Sequence, residues 1–484
     1  MTEPKPRAAA FRGSAPTASS RSRLTALIVA CALLMQNLDS TVLATALPAM
    51  ARGFGEDPVR MNVALTSYLL SLAVFIPASG WMADRFGARR IFRAAILVFT
   101  LGSVLCGRAP NLGFLVGARI LQGLGGAMMV PVGRLLLLRT VEKSELVAAM
   151  AWLTMPALIG PIAGPPLGGF IVTYWDWRWI FYINVPVGLA GILLVTWFIA
   201  EVREPEPDPF DGVGLALSGI SLSCLMFALE FFGRSVMPTA FTATLLGVGL
   251  VAGALYLRHA RRHPKPILDL TLFRIPTFGV SVLAGSLFRL GIGALPFLLP
   301  LLIQIGFEET AAQSGMITFA SAAGALVMKP ATQGLLRWIG FRPTLLWNGA
   351  LSAALLSACA AFRPGWPLWA IYAVLLLGGL VRSLQFTAYN SIAFAEIPRE
   401  RMSAASSLYS TFQQLSLTLG IAVGAAALEF ATWVGGHARP TLGDFTFAFL
   451  VVGLASGLAA PCALLLPPEA GEELAGRAAP KAAE

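Results

Sequence analysis

The chain has 484 residues, of which 56% are hydrophobic and only 12% charged, with a formal net charge of +10. Soluble domains carry about 25% charged residues, so a globule with a water-exposed surface is excluded. The basic residues are scattered over many short connections, which argues against a nucleic-acid-binding face.

The apolar excess falls into stretches of about 20 residues, the length that crosses about 30 Å of hydrocarbon as helix, without the short alternating segments of a membrane barrel. Residues 1–23 are polar and Arg-bearing and lack an apolar core with a cleavage site, so they predict a disordered tail before an uncleaved first helix. Fourteen spans follow, at 24–47, 61–81, 91–106, 112–138, 147–173, 180–200, 212–232, 240–257, 278–305, 312–336, 343–361, 368–392, 404–431 and 445–466. Lys and Arg concentrate in both tails and in the connections on their side, which orients both termini toward the cytoplasm. Short loops without sorting signals suit a bacterial inner membrane.

Two connections divide the chain. Residues 201–211, EVREPEPDPFD, read as an acidic, extended linker. Residues 258–276 form a longer basic connection with a short amphipathic surface segment. They bracket a two-helix insert at 212–257, leaving six-span bundles at 24–200 and 277–466 and a C-terminal tail at 467–484.

In chain order, four segments carry chemistry. LDSTVLATALP, residues 38–48, puts Asp39 inside hydrocarbon, where an ionisable group costs several kcal/mol or more and is a functional candidate by default. GWMADRFGARR, residues 80–90, combines Gly80 for close helix approach, the acceptor Asp84, the turn-former Gly87, and Arg85, Arg89 and Arg90. RILQGLGGAMMVPVGR, residues 119–134, places Arg119 about two turns inside its span, where a permanently charged guanidinium needs an acceptor. Asp39 is the expected partner, while Arg134 near the other end snorkels to the interface. GPIAGPPLGGF, residues 160–170, breaks its helix at Pro161, Pro165 and Pro166 and strips bulk from one stripe at Gly160, Gly164, Gly168 and Gly169.

Together these segments resemble the major facilitator superfamily, specifically its fourteen-helix drug:proton antiporter branch (the EmrB/QacA type). The resemblance implies two six-helix halves plus two inserted helices, all α, working as a secondary transporter. It implies export of small, drug-like organic compounds in exchange for protons, with one specific endogenous metabolite as the alternative cargo. Asp39 and Arg119 then handle the proton. Gly80, Asp84, Arg85, Gly87, Arg89 and Arg90 form a conformational latch between halves. Gly160, Pro161, Gly164, Pro165, Gly168 and Gly169 make the antiporter helix. The branch usually has Asn where this chain has Ala44.

Further along, Trp175, Trp177 and Trp179 fit an interfacial aromatic belt. Arg289 falls near mid-membrane and needs a cavity or a carboxylate to solvate it. Gln122, Met128, Arg289, Phe297 and Gln413 are candidates for lining the substrate cavity. Lys329 and Arg382 lie nearer their helix ends and snorkel. Glu230 and Glu429, near the outer ends, are secondary acidic candidates. The five cysteines show no paired spacing, and His259 and His263 sit among arginines as a solvated basic face, so neither a metal nor a disulfide framework is expected. No phosphate-binding loop or nucleophile elbow occurs, which points away from ATP, cofactors and enzyme chemistry. The expected partners are the small-molecule substrate, protons and lipid; nothing in the sequence indicates accessory efflux proteins.

Overall fold

The computed structural model describes residues 18–56, 61–142, 145–201, 209–231, 238–309, 311–436 and 439–475. Among them every regular element is helical. The main helices are α1 (Ala18–Phe54), α2 (Asn62–Phe75), α3 (Ser79–Phe86), α4 (Ala88–Gly107), α5 (Leu112–Thr140), α6 (Leu146–Tyr174), α7 (Trp179–Tyr182) and α8 (Asn184–Phe198). After them come α9 (Gly212–Phe231), α10 (Thr239–Ala260), α11 (Pro276–Leu301), α12 (Ala311–Ile339), α13 (Phe341–Pro343), α14 (Gly349–Ala358), α15 (Leu368–Ile392), α16 (Met402–Val434), α17 (Leu442–Gly457), α18 (Ala459–Cys462) and α19 (Glu472–Ala475).

Among the described residues, eleven helical runs are long and apolar enough to cross a membrane. The other three spans read from the sequence fall on α6, α9 and α12, of 29, 20 and 29 residues. The outer surface is the reverse of a soluble protein's: Trp197, Trp338, Trp347, Trp369 and Trp433 are all more than 70% exposed, whereas Arg119 and Arg289 are among the most completely buried side chains. An apolar coat around a charged interior is what a lipid solvent selects.

Packing separates two bundles. In the first, α1 lies along α6, and α5 lies along α4 and α2; in the second, α11 lies along α16 and α12 along α15. These contacts are close because glycines leave room. A Cβ on Gly379 of α15 would come within 1.9 Å of the Ser321 carbonyl oxygen on α12, and one on Gly293 of α11 within 2.1 Å of the Leu417 carbonyl oxygen on α16. Without a hydrophobic force between helices in lipid, such approach is what drives their association. Prolines then set the breaks. Pro300 precedes a π-helical turn at Leu302–Gly306, and Pro77 sits in the 3₁₀ turn Ile76–Ala78 that joins α2 to α3.

Three sequence expectations change here. Residues 18–23, expected in the tail, are already helical in α1, because a helix can extend past the hydrocarbon without losing its backbone bonds. The C-terminal tail is not free from residue 467 onward: α19 buries Leu474 and Ala475. Trp177 is buried at 5% exposure against Phe54, so only Trp175 and Trp179 reach the surface as belt residues. Residues 202–208 of the acidic linker lie outside the described residues.

The connection before α11 is ordered by its own chemistry. Asp211, 3% exposed, accepts hydrogen bonds from Gly214 N–H at 2.7 Å, Ile267 N–H at 3.1 Å and His259 Nε2 at 2.8 Å. It therefore caps α9 and fastens it to the end of α10. Tyr256 adds a second tie, donating to the Leu268 carbonyl at 2.9 Å. Burial alone would raise the Asp211 carboxyl, but the bonds from Gly214, His259 and Ile267 outweigh it and hold it below the usual range.

A depressed carboxyl contributes stability above its unfolded value of about 3.9, and that contribution disappears as pH falls through the folded value. Asp211→Ala should therefore destabilise the protein by about 1–3 kcal/mol at neutral pH, through two backbone donors left unsatisfied. The gap from wild type should close in acid, read as detergent melting midpoints against pH.

Candidate functional site: a buried carboxylate on α1

α1 brings Asp39 into the first bundle at 4% exposure. Its carboxylate is fully engaged. Arg119 Nη1 on α5 donates to Oδ2 at 2.6 Å, while Gln122 Nε2 and Asn184 Nδ2 donate to Oδ1 at 2.8 and 3.0 Å. Arg119, at 0% exposure, also donates through Nε to the Ala64 carbonyl and through Nη1 to Gln122 Oε1. Its guanidinium carbon sits 4.4 Å from the centre of the Tyr68 ring. Asn184 is held in turn by Ser103 Oγ at 2.9 Å, which donates to the Phe181 carbonyl. The sequence paired Asp39 with Arg119, and the structure joins them. Helical spacing explains Gln122, which lies one turn along α5 from Arg119 on the same face. Asn184, Ser103 and Tyr68 were missed; the one available signal was a lone Asn inside the apolar run after Trp179.

The glycine-rich stripe of α6 lies directly against this part of α1. A Cβ on Gly160 would meet Asn37 Cβ at 2.8 Å, and one on Gly164 would meet Thr41 Oγ1 at 2.0 Å. Thr41 Oγ1 donates to the Gly160 carbonyl at 3.2 Å. The stripe thus grips α1 on both sides of Asp39. Gly168 is buried, Gly169 faces open space, and the side chains of Pro161 and Pro165 lie outside the described residues.

The 80–90 segment divides into two jobs. Asp84 at the end of α3 accepts from Arg139 Nη2 of α5 at 2.8 Å and from Ser403 Oγ of α16, so it ties the two bundles together. Gly80 lets that contact form, since a Cβ there would meet the Ser403 carbonyl at 2.7 Å. Ser407 of α16 donates to the carbonyls of Ile76 and Pro77, both at 2.9 Å, re-satisfying backbone groups at the proline break. The remaining residues work within the first bundle. Gly87 turns the chain at φ 94°, Arg89 donates to the Thr196 carbonyl, and Arg90 lies 3.4 Å from Glu201. Arg85 is exposed.

Arg134 corrects an expectation. It does not snorkel: it is 4% exposed, and it donates across the bundle interface to Ser410 Oγ at 3.1 Å and Gln413 Oε1 at 2.9 Å. Lys329 and Arg382 likewise point inward, at 3% and 8% exposure, toward Thr387 Oγ1 and Ser321 Oγ. Arg289 donates to Tyr409 Oη and stacks near Phe386 and Tyr409. Met128 is buried in the first bundle's apolar core and Phe297 is half-buried. Glu429 is exposed on α16, and the Glu230 side chain lies outside the described residues.

The two histidines are half-buried among the exposed Arg258, Arg261 and Arg262. Asp211, His259 and His263 bring one ligand atom each within 4.8 Å of one another. Both Asp211 oxygens already accept backbone donors, so the grouping reads as the cap of α9 described above.

Removing one partner of a buried ion pair leaves an uncompensated charge and costs about 3–5 kcal/mol. Arg119→Gln should destabilise the protein by that order, because Asp39 keeps only neutral donors. Asp39→Asn/Arg119→Gln should melt above the sum of its single variants, giving a favourable coupling of about 1–3 kcal/mol in a double-mutant cycle on detergent melting curves.

The family model described as Major Facilitator Superfamily matches residues 29–421 and 282–482. The chain is 39% identical over 401 residues to the "Putative multidrug resistance protein MdtD" of Pectobacterium carotovorum subsp. carotovorum (strain PC1), covering 83% of this chain and 86% of that protein. A protein of the same name from Serratia proteamaculans (strain 568) is 39% identical over 397 residues, covering 82% and 83%. In shape the chain is similar to the human organic anion transporter MFSD10 (TETRAN), at TM-score 0.66 and 14% identity over 93% of this chain and 100% of that one. It is similar also to the proton:xylose symporter XylE bound to 6-bromo-6-deoxy-D-glucose, at TM-score 0.64 and 14% identity over 94% and 98%. The packed two-bundle architecture, the buried carboxylate and these matches lead to one assignment: the chain belongs to the Major Facilitator Superfamily.

Proposed function

We propose that this protein is a proton-driven exporter of small, drug-like organic compounds, working by alternating access of its two bundles. The observation that carries the reading is the Asp39–Arg119 pair, at 2.6 Å and shut away from solvent. Protonating Asp39 removes one charge of the pair and frees Arg119, so the packing of α1 against α5 and α8 changes its preferred state. A proton thereby biases a bistable bundle, and the ligand does the same from the other side. The names of the relatives support drug-like cargo, and the grip of the α6 stripe on α1 supports the exporter reading. The fourteen-helix branch fits the two extra helices α9 and α10.

The Asp84–Ser403 contact belongs to the same cycle. It lies at the basic end of the bundle, which the distribution of Lys and Arg assigns to the cytoplasm of a bacterial inner membrane. With α3 and α5 locked to α16 there, this is the state closed to the cytoplasm. The pathway then opens outward, where Asp39 receives its proton.

In inverted vesicles carrying an acidic interior, adding a transported compound should release stored protons from wild type. Asp39→Asn should abolish this release by at least about a hundredfold while still reaching the membrane, because the coupling charge is lost. Proton release surviving intact in that variant would remove Asp39 from the mechanism. For the latch, Ser403→Ala should raise labelling of a cysteine placed at the cytoplasmic end of α16, as the closed state loses a charge-assisted bond of about 1.5–3 kcal/mol. Unchanged labelling would reduce the contact to ordinary packing.

A further inference from the structure

The chain treats its buried arginines in two different ways. Two of them are given a carboxylate: Arg119 has Asp39 at 2.6 Å, and Arg139 has Asp84 at 2.8 Å. Arg289 on α11 and Arg134 on α5 have none among the described residues. Both lie against one ring, with guanidinium carbons 4.8 and 5.0 Å from the centre of Tyr409 on α16. Arg289 is 1% exposed and its Nε has no hydrogen-bond partner. Arg134 meets only the neutral acceptors Ser410 and Gln413.

Stacking on aromatic rings does not balance this. A desolvated cation–π contact contributes about 2 kcal/mol or somewhat more, against an effective penalty of several kcal/mol for each buried ion. Two like charges around one ring add mutual repulsion. The sequence nevertheless makes room for them: a Cβ on Gly285 would come within 2.7 Å of Arg289 Nη1. A third buried guanidinium lies on α15. Arg382 lies one turn from Phe386, has only Ser321 Oγ as acceptor, and occupies space left by Gly378.

We infer that Arg289 and Arg134, arranged around Tyr409, form a binding site for the anionic group of the transported compound, a carboxylate, sulfonate or phosphate on an otherwise apolar molecule. This rests on the export reading above and narrows its cargo to organic anions. The site joins both bundles, because Arg134 belongs to the first and Arg289 and Tyr409 to the second. An anion held there favours the state in which they meet, so binding couples to the same rearrangement that Asp39 controls. The aromatic faces of Phe386 and Tyr409 beside the charges suit a ligand with an apolar body and an acidic end.

The test uses purified full-length protein in detergent, with carboxyfluorescein as the anionic probe and ethidium as the cationic one, both followed by fluorescence anisotropy. Carboxyfluorescein should bind saturably, at least about thirtyfold more weakly to Arg289→Gln and to Arg134→Gln, with partial recovery in Arg289→Lys. Without probe, Arg289→Gln should melt above wild type, since it removes a charge the protein does not compensate. A variant that melts earlier and binds nothing marks a structural arginine and overturns the site. So does a folded wild type that shows no saturable carboxyfluorescein binding. Inorganic phosphate displacing the probe at equal concentration would assign the site to a small counter-anion and overturn the cargo assignment. In reconstituted vesicles the two readings separate: carboxyfluorescein bound through Arg289 but never carried keeps the anion site and removes export. Ethidium carried alone and untouched by both variants keeps export and removes the anion site.

Discussion

A single ion pair in a medium without water organises the first bundle. Asp39 and Arg119 face each other at 2.6 Å with 1% and 0% side-chain exposure. Burying both charges costs more than their attraction returns unless every remaining lone pair and proton is matched. The structure goes most of the way through Gln122, Asn184 and the Ala64 carbonyl, and leaves Arg119 Nη2 without a hydrogen-bond partner beside the Tyr68 ring. Those groups come from α5, α8 and α2, and Asp39 itself from α1. Four helices must therefore be in register before the pair is tolerable, and any change in its charge is felt by all of them. That is the physical basis for expecting a proton to move a whole bundle rather than a side chain.

The glycine stripes serve this constraint. Gly160 and Gly164 bring α6 onto α1 at Asn37 and Thr41, on either side of Asp39. The carboxylate is thereby fixed by backbone-to-backbone contact as well as by hydrogen bonds. At the other end of the fold, Gly80 plays the same part for the contact between bundles. It lets α3 reach the Ser403 carbonyl while Asp84 binds the Ser403 hydroxyl. Close approach without side chains permits contacts that form and break as rigid units, which is what alternation between two packed states requires.

The second bundle contrasts with the first. It holds Arg289 and Arg382 at 8% exposure or less, and Arg134 reaches into it from α5. The arginines donate to Tyr409, Ser321, Ser410 and Gln413, which are neutral groups. One bundle thus carries a compensated charge pair and the other a positive interior. Such an asymmetry suits a machine in which the proton is handled on one side and an acidic cargo on the other.

Membrane insertion, helix class and the family were all legible in the residue order, because lipid imposes long apolar runs and because motifs such as 80–90 combine residue types that few other structures need together. The Asp39–Arg119 pairing was legible too, since a carboxylate and a guanidinium in hydrocarbon have few other partners to choose from. Helix-end position misled at Arg134, Lys329 and Arg382. Snorkelling is decided by which face of the helix the side chain occupies and what packs there, and α16, α15 and α12 close over those faces. Trp177 failed as a belt residue for the same reason, turned inward onto Phe54. Composition, periodicity and local motifs determined what the protein is made to sit in. Only the tertiary structure decided which buried charges have partners, because compensation depends on side chains tens or hundreds of residues away, brought together by helix packing.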